Sequence, residues 1–217
     1  MQKNETAMPN FRFWLGGAVI ILTLLQTACQ PNMETVENRD ANGRLERYQR
    51  RKKDFAKEGL YQRFHEDGHL IEEAHYVNDS LDGERKFFYP NGAVESIEHY
   101  RRGVIHGPYQ KFYESGQLEI EQAYVDGVLQ GMSTAWYKNG VVKEKVTLRD
   151  NEENGPFTEW FENGKLKAEG NYVDGDNEDG TLKLYDTLGQ LERILECQRG
   201  VCHTTWVKEG AAPQQDQ

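Results

Sequence analysis

Between residues 58 and 207 the chain alternates short runs of aromatic, aliphatic and charged residues with glycine-centred breaks, and the breaks keep a fixed period. One set of glycines is Gly59, Gly83, Gly107, Gly131, Gly155 and Gly180, spaced by 24, 24, 24, 24 and 25 residues. A second set in the same phase is Gly68, Gly92, Gly116, Gly140, Gly164 and Gly189, and a third position reads Asp79, Gly103, Gly127, Asn151, Gly175 and Gly200. These residue types tolerate positive φ, which tight hairpin turns require. A fixed period of about 20 to 50 residues marks a repeat architecture.

The segments between the breaks read as strands. Five residues after each first glycine stands an aromatic: Phe64, Phe88, Phe112, Trp136, Trp160 and Tyr185. A second ring follows at His65, Tyr89, Tyr113, Tyr137 and Phe161, with Asp186 breaking the rule. Next come turns such as Pro90-Asn91-Gly92, Lys138-Asn139-Gly140 and Glu162-Asn163-Gly164; Asn-Gly between alternating runs is the strongest short-range hairpin signal. The return strand carries Leu70, Val94, Leu118, Val142, Leu166 and Leu191, and six residues on Tyr76, Tyr100, Tyr124, Leu148, Tyr172 and Cys197. Even spacing predicts that these two rows share an apolar face, with Glu95, Glu119, Lys143, Lys167 and Glu192 on a solvated one. A lone hairpin is marginal in water, so neighbours must zip side by side to shield the rings.

The expected fold is therefore all-β: an elongated, twisted, antiparallel single-layer sheet of stacked β-hairpin repeats. Six units are expected at 59–82, 83–106, 107–130, 131–154, 155–179 and 180–207. A basic lead-in strand or partial repeat is expected at 44–58, and a closing strand from Val201 to Val207.

Composition narrows the function. Hydrophobic residues make up 37% of the 217 and charged residues 29%, too thin a core for a compact enzyme of this length. Aromatics at 11% argue against disorder, and a net charge of −10 argues against a nucleic-acid partner. The charge is uneven. Arg44, Arg47, Arg50, Arg51, Lys52, Lys53 and Lys57 face only Glu46 and Asp54 in the lead-in, whereas residues 58–217 hold 16 bases and 30 acids. Such a collar could meet anionic headgroups, but pairing with the acidic body is the ordinary outcome.

The N-terminus reads as an address. Lys3 and Arg12 precede an apolar run of 13 residues from Phe13 to Leu25, followed by small residues, which is the layout of an export signal. The sequence Leu25-Gln26-Thr27-Ala28-Cys29 resembles the lipobox of bacterial lipoproteins, with Gln26 departing from the usual apolar residue. That resemblance implies a signal peptide at 1–28, taken as helical, and lipidation of Cys29, with burial of the acyl chains as the anchor. Gln30 after the cysteine implies, by analogy with enterobacterial sorting, an outer-membrane location in the cell envelope. Residues 29–43 have almost no large apolar side chain and are expected to be a flexible tether, and 208–217 a disordered tail. With Cys29 lipidated, Cys197 and Cys202 remain as a pair around a hairpin loop, either bridged by a cross-strand disulfide or reduced and partly buried.

The recurring unit, seen in Gly107-Pro108-Tyr109-Gln110-Lys111-Phe112-Tyr113 and continuing through Gly116, Leu118, Tyr124 and Gly127, resembles the bacterial variant of the MORN repeat. The likeness covers residues 59–200. Proteins of this kind are often labelled YwqK-family antitoxins, and eukaryotic MORN proteins are linked with membrane association and scaffolding. An envelope lipoprotein fits poorly with a cytoplasmic antitoxin.

No nucleophile–base motif, phosphate loop or HExxH occurs, so no enzyme activity and no cofactor are expected. His75 and His99 occupy equivalent repeat positions and read as a solvent-facing pair rather than a metal clip. Asp174, Asp176 and Glu178 alternate in one acidic connection and are weak calcium candidates, since hard cations need converging oxygens. The candidate protein-binding surface is the partly exposed aromatic row, Trp136, Trp160, Tyr113 and Tyr137. The expectation is a lipid-anchored scaffold for another envelope protein or glycan. The alternatives are neutralisation of a toxin or direct lipid contact.

Overall fold

The computed structural model of the protein describes residues 32–211; the signal segment, Cys29 and residues 212–217 lie outside them. Every regular element described is a strand. They are β1 (Met33–Arg39), β2 (Leu45–Arg51), β3 (Lys57–Phe64), β4 (Leu70–Val77), β5 (Ser80–Phe88), β6 (Val94–Arg101), β7 (Val104–Ile105), β8 (Gly107–Phe112) and β9 (Leu118–Val125). The second half holds β10 (Val128–Leu129), β11 (Gly131–Trp136), β12 (Val142–Arg149), β13 (Glu152–Trp160), β14 (Leu166–Val173), β15 (Asn177–Glu178), β16 (Gly180–Tyr185), β17 (Leu191–Gln198) and β18 (Val201–Val207). All pair antiparallel with their neighbours in the chain, forming one open, twisted meander. The short strands β7, β10 and β15 continue into β8, β11 and β16, so each such couple fills the place that β5 and β13 span without a break.

The two kinds of turn line opposite margins of the sheet. On one, two consecutive residues take positive φ, as at Asn78 and Asp79 (50° and 64°) and at Arg102 and Gly103 (52° and 81°). That double left-handed conformation is the type I′ turn, whose twist matches paired strands. On the other margin each return strand starts from a tighter knot. In the second repeat the Gly92 N–H donates to the Tyr89 carbonyl (2.9 Å), the Tyr89 N–H to the Ala93 carbonyl (2.9 Å), and the Asn91 side chain accepts from the Ala93 N–H (2.8 Å). Asp67, Asn139 and Asn163 make the same side-chain contact in their own repeats, which explains why Asn or Asp recurs just before the glycine.

That knot reverses one expectation. Register slips by one residue beside it in every repeat: Arg63 faces Glu72 but Phe64 faces Leu70, and Lys111 faces Ile120 but Phe112 faces Leu118. One extra residue on the return strand moves everything beyond it to the opposite face. The Leu/Val row therefore lies with the Phe64-to-Tyr185 row on one face, and the Tyr76-type row lies on the other. The charged residue between them turns toward the tyrosine side, where Glu119 meets Lys111 (3.0 Å) and Lys167 meets Glu159 (2.7 Å).

Following opposed residues from strand to strand, every buried strand residue falls on the tyrosine-bearing face: Tyr61, Glu72, Ala74, Ser96, Ser133, Val146, Leu148, Phe157, Ala168, Leu182, Arg193 and Cys197. Leu60 and Met132, on the opposite face, are exposed. The buried face is mixed rather than apolar. Its C-terminal half is a hydrophobic cluster of Val146, Leu148, Phe157, Ala168, Leu182 and Cys197. Its N-terminal half is knit by charge. Glu72 accepts from Arg85 (2.7 Å) and Arg63 (2.8 Å), Arg85 reaches on to Glu98 (3.5 Å), and the Tyr61 and Tyr100 hydroxyls donate to Glu46 and Glu98.

The expected flexible tether at 29–43 is corrected from residue 33 onward, where the chain forms β1. Glu34 pairs with Arg50 and Glu37 with Arg47, each at 2.7 Å, so the acids of this apolar-poor stretch neutralise the basic strand β2. Arg51 meets Asp54 and Glu58. Backbone pairing plus charge complementarity supply what apolar content does not.

Candidate functional site

The loop margin is stitched from repeat to repeat. The Tyr89 hydroxyl donates to the Phe112 carbonyl (2.7 Å), Tyr113 to the Trp136 carbonyl (2.8 Å), and Tyr137 to the Trp160 carbonyl (2.9 Å). Asn91, Asn139 and Asn163 donate to carbonyls of Glu114, Glu162 and Thr187 in the same forward direction. Trp136 and Trp160 are half-buried and face Val142 and Leu166 across their hairpins. Of the four candidate contact residues, Tyr113 and Tyr137 thus spend their polar ends inside the sheet.

The turn margin is stitched as well. Turn N–H groups reach one repeat back, Gly103 to the Leu81 carbonyl and Gly127 to the Ile105 carbonyl, and the carboxylates of Glu58 and Asp82 accept from the N–H groups of Asn78 and Arg102. Much of the acidity at the connections is turn capping. Asp174 is an exposed turn residue 3.7 Å from Arg199, Asp176 is exposed, and Glu178 offers its carbonyl to Gly200. His75 and His99 each sit beside the first glycine of the next repeat and contact backbone carbonyls, of Asp82 (3.1 Å) and Pro108 (2.7 Å), so they serve the repeat junction separately. Cys197 and Cys202 face each other across β17 and β18 and are joined by a disulfide, with Cα atoms 4.0 Å apart.

On the buried face, Glu144 lies directly opposite Glu159. Burial, and then the charge of Glu159, raise the Glu144 carboxyl above its ordinary value; burial and Glu144 do the same to Glu153. A carboxyl raised in the folded state destabilises the fold above its folded value and leaves it untouched below the unfolded one. Glu144→Gln is therefore expected to melt higher than the native chain at pH 7 and equally below about pH 4. A melt series across pH checks this, and an unchanged or lower midpoint at neutral pH would refute it.

One constellation was not singled out by sequence reasoning. At the tip of the first repeat, His65 and His69 stack with ring centroids 4.7 Å apart, and both Nδ1 atoms approach Asp67 Oδ1, at 3.3 Å and 2.5 Å. Among the described residues this is the trio of His, Cys, Asp or Glu whose ligand atoms converge, all lying within 4.8 Å of one another; Asp174, Asp176 and Glu178 do not. Its signal was the pattern His-x-Asp-x-His, readable once each residue is compared with its counterparts in the other units.

These features define a hairpin-repeat protein whose units are bound to one another along both margins. A family model described as the MORN repeat variant matches residues 57–78, 81–102, 105–126 and 153–174. The chain thus carries MORN-variant repeats at four places. The units with Leu148 and Cys197 at the tyrosine position fall outside those matches. No curated protein matches the chain. Among solved structures, a chain of the "Glycosylation Associate Protein (Gap123) complex from Streptococcus agalactiae" aligns at 15% identity with a TM-score of 0.33, over 52% of this chain. This chain spans 20% of that one.

Proposed function

We propose that this chain is a non-enzymatic repeat protein of the cell envelope, anchored by lipid at Cys29, whose sheet binds another envelope protein. The observation that supports this reading best is the last strand. Among the described residues β18 pairs with β17 alone; it carries no acidic or basic residue other than His203 and leaves Val201 (74%), Trp206 (44%) and Val207 (42%) open to solvent. An uncharged, unpaired strand margin is a template for an added strand, which gains main-chain hydrogen bonds plus side-chain pockets. The opposite margin, β1, carries Glu34, Glu37 and Arg39, charges that discourage such pairing.

Full-length protein should retain its partner in pull-downs from detergent-solubilised membranes. Trp206→Lys should weaken capture about tenfold or more with an unchanged melting curve, as loss of one buried aromatic anchor does. Trp136 or Trp160 substitutions should lower capture and stability together. Equal capture by the Trp206→Lys protein would count against the β18 edge. Recovery of a toxic product of a neighbouring gene would turn the reading toward neutralisation. Palmitate labelling of the native chain, absent from Cys29→Ala, tests the anchor.

A further inference from the structure

We propose that His65, Asp67 and His69 form a binding site for one transition-metal dication of the zinc class at the tip of the first repeat. The repeats themselves provide the comparison. Where His65 stands, the next three units have Tyr89, Tyr113 and Tyr137, each donating its hydroxyl to a backbone carbonyl of the following unit. Where Asp67 stands, they and the fifth have Asn91, Ser115, Asn139 and Asn163, and where His69 stands, Ala93, Gln117, Val141 and Lys165. The knot closes in those units with neither an imidazole nor a carboxylate at any of the three positions. Its backbone therefore does not require two imidazoles and a carboxylate in the first.

The donor set fits borderline metals. Imidazole nitrogens suit zinc, copper, cobalt and nickel, whereas calcium and magnesium want several oxygens. Zinc bonds of about 2.0–2.2 Å in a tetrahedron place donors roughly 3.3 Å apart. His65 Nδ1 already lies 3.3 Å from Asp67 Oδ1, yet it is buried without a hydrogen-bond partner, because that approach is not aligned for one. His69 Nδ1 is closer, at 2.5 Å, and its half-buried ring need retreat by less than 1 Å to admit an ion, roughly the difference from that donor spacing. The Asp67 carboxylate is held in place by the His69 N–H (3.1 Å), so the central ligand is already oriented. The nearby cations are engaged elsewhere. Arg47 pairs with Glu37 at 2.7 Å and stacks on Phe64, and Arg39 donates to the Gly43 carbonyl at 3.0 Å. Glu66 lines the same hollow. Three protein ligands leave a coordination position for water or for a donor from outside.

The test titrates the full chain, in detergent, with Zn(II) by calorimetry and with Co(II) by visible absorption. One equivalent should bind, with Co(II) bands of four- or five-coordinate geometry. His65→Tyr combined with His69→Gln, residues the neighbouring units carry at these positions, should lower affinity at least about 100-fold while circular dichroism and melting in EDTA stay native. Asp67→Asn, which keeps the turn contact, should lower it about tenfold or more, and serves as the readout if the double variant misfolds. Native-like binding by the folded double variant, or by Asp67→Asn, would overturn the site, as would no uptake by the native chain. None of these measurements depends on partner capture at β18.

Discussion

Replacing Phe157 with alanine is expected to cost about 3–5 kcal/mol of stability, read as a lower urea midpoint with little change in slope. The ring is 4% exposed, stacks on Tyr172 with centroids 4.1 Å apart and planes at 16°, and sits at the middle of the cluster that includes Val146, Leu148, Ala168 and Leu182. A single-layer sheet has no second layer to close over a vacancy, so the deleted volume stays open and the cavity adds to the lost transfer energy. Gly170 supplies the complementary check. It faces Phe157 across β13 and β14, and a methyl there would lie 2.8 Å from Phe157 Cε1. Gly170→Ala should therefore destabilise by about 1–3 kcal/mol through crowding, not through any special backbone angle. A loss below about 1 kcal/mol for Phe157→Ala would mean that the ring contributes little beyond its exposed edge.

Removing Glu72 should be nearly as damaging by a different route. Its side chain is 5% exposed and receives both Arg63 and Arg85, so alanine takes the carboxylate from Arg63 and leaves Arg85 with Glu98 at 3.5 Å on a half-covered surface. Breaking a buried pair costs about 3–5 kcal/mol, and the low end is expected because the two arginine side chains keep 34% and 26% of their exposure. Glu72→Gln retains hydrogen-bond acceptance without the charge and should lose less. Added salt should change these differences little, since screening acts weakly on a pair withdrawn from solvent. Equal stability of Glu72→Ala and native protein would show that the charged half of the face is ornamental.

Much of this architecture is readable from residues alone. The positive-φ positions at Asp79, Gly103 and Gly127 and the Asn-Gly pairs mark both margins, because turn geometry is dictated locally. What lies beyond one turn is not so dictated. The Leu/Val row changes face because Ile71 and its counterparts are extra residues in the ladder, a register event that a count of alternation cannot detect. Strand β1 has only Met33 and Val36 as apolar residues and is stabilised by Arg47 and Arg50 on a neighbouring strand, so its own composition gives little sign of it. Tyr113 and Tyr137 read as free rings because their acceptors lie one repeat ahead. His65 and His69 were visible as histidines but not as neighbours, since stacking depends on the knot that folds the chain between them.

The stitches along the loop margin all reach forward by one period, and the forward tyrosine chain ends at Trp160, because Phe161 has no hydroxyl and Asp186 replaces the ring. Damage at one rung is consequently confined to the rungs beside it. Such a molecule should fray from its ends and open in patches instead of melting as a block, with amide exchange fastest in β1 and β2 and slowest around Phe157. Natural variants could then gain or lose whole units without disturbing the rest.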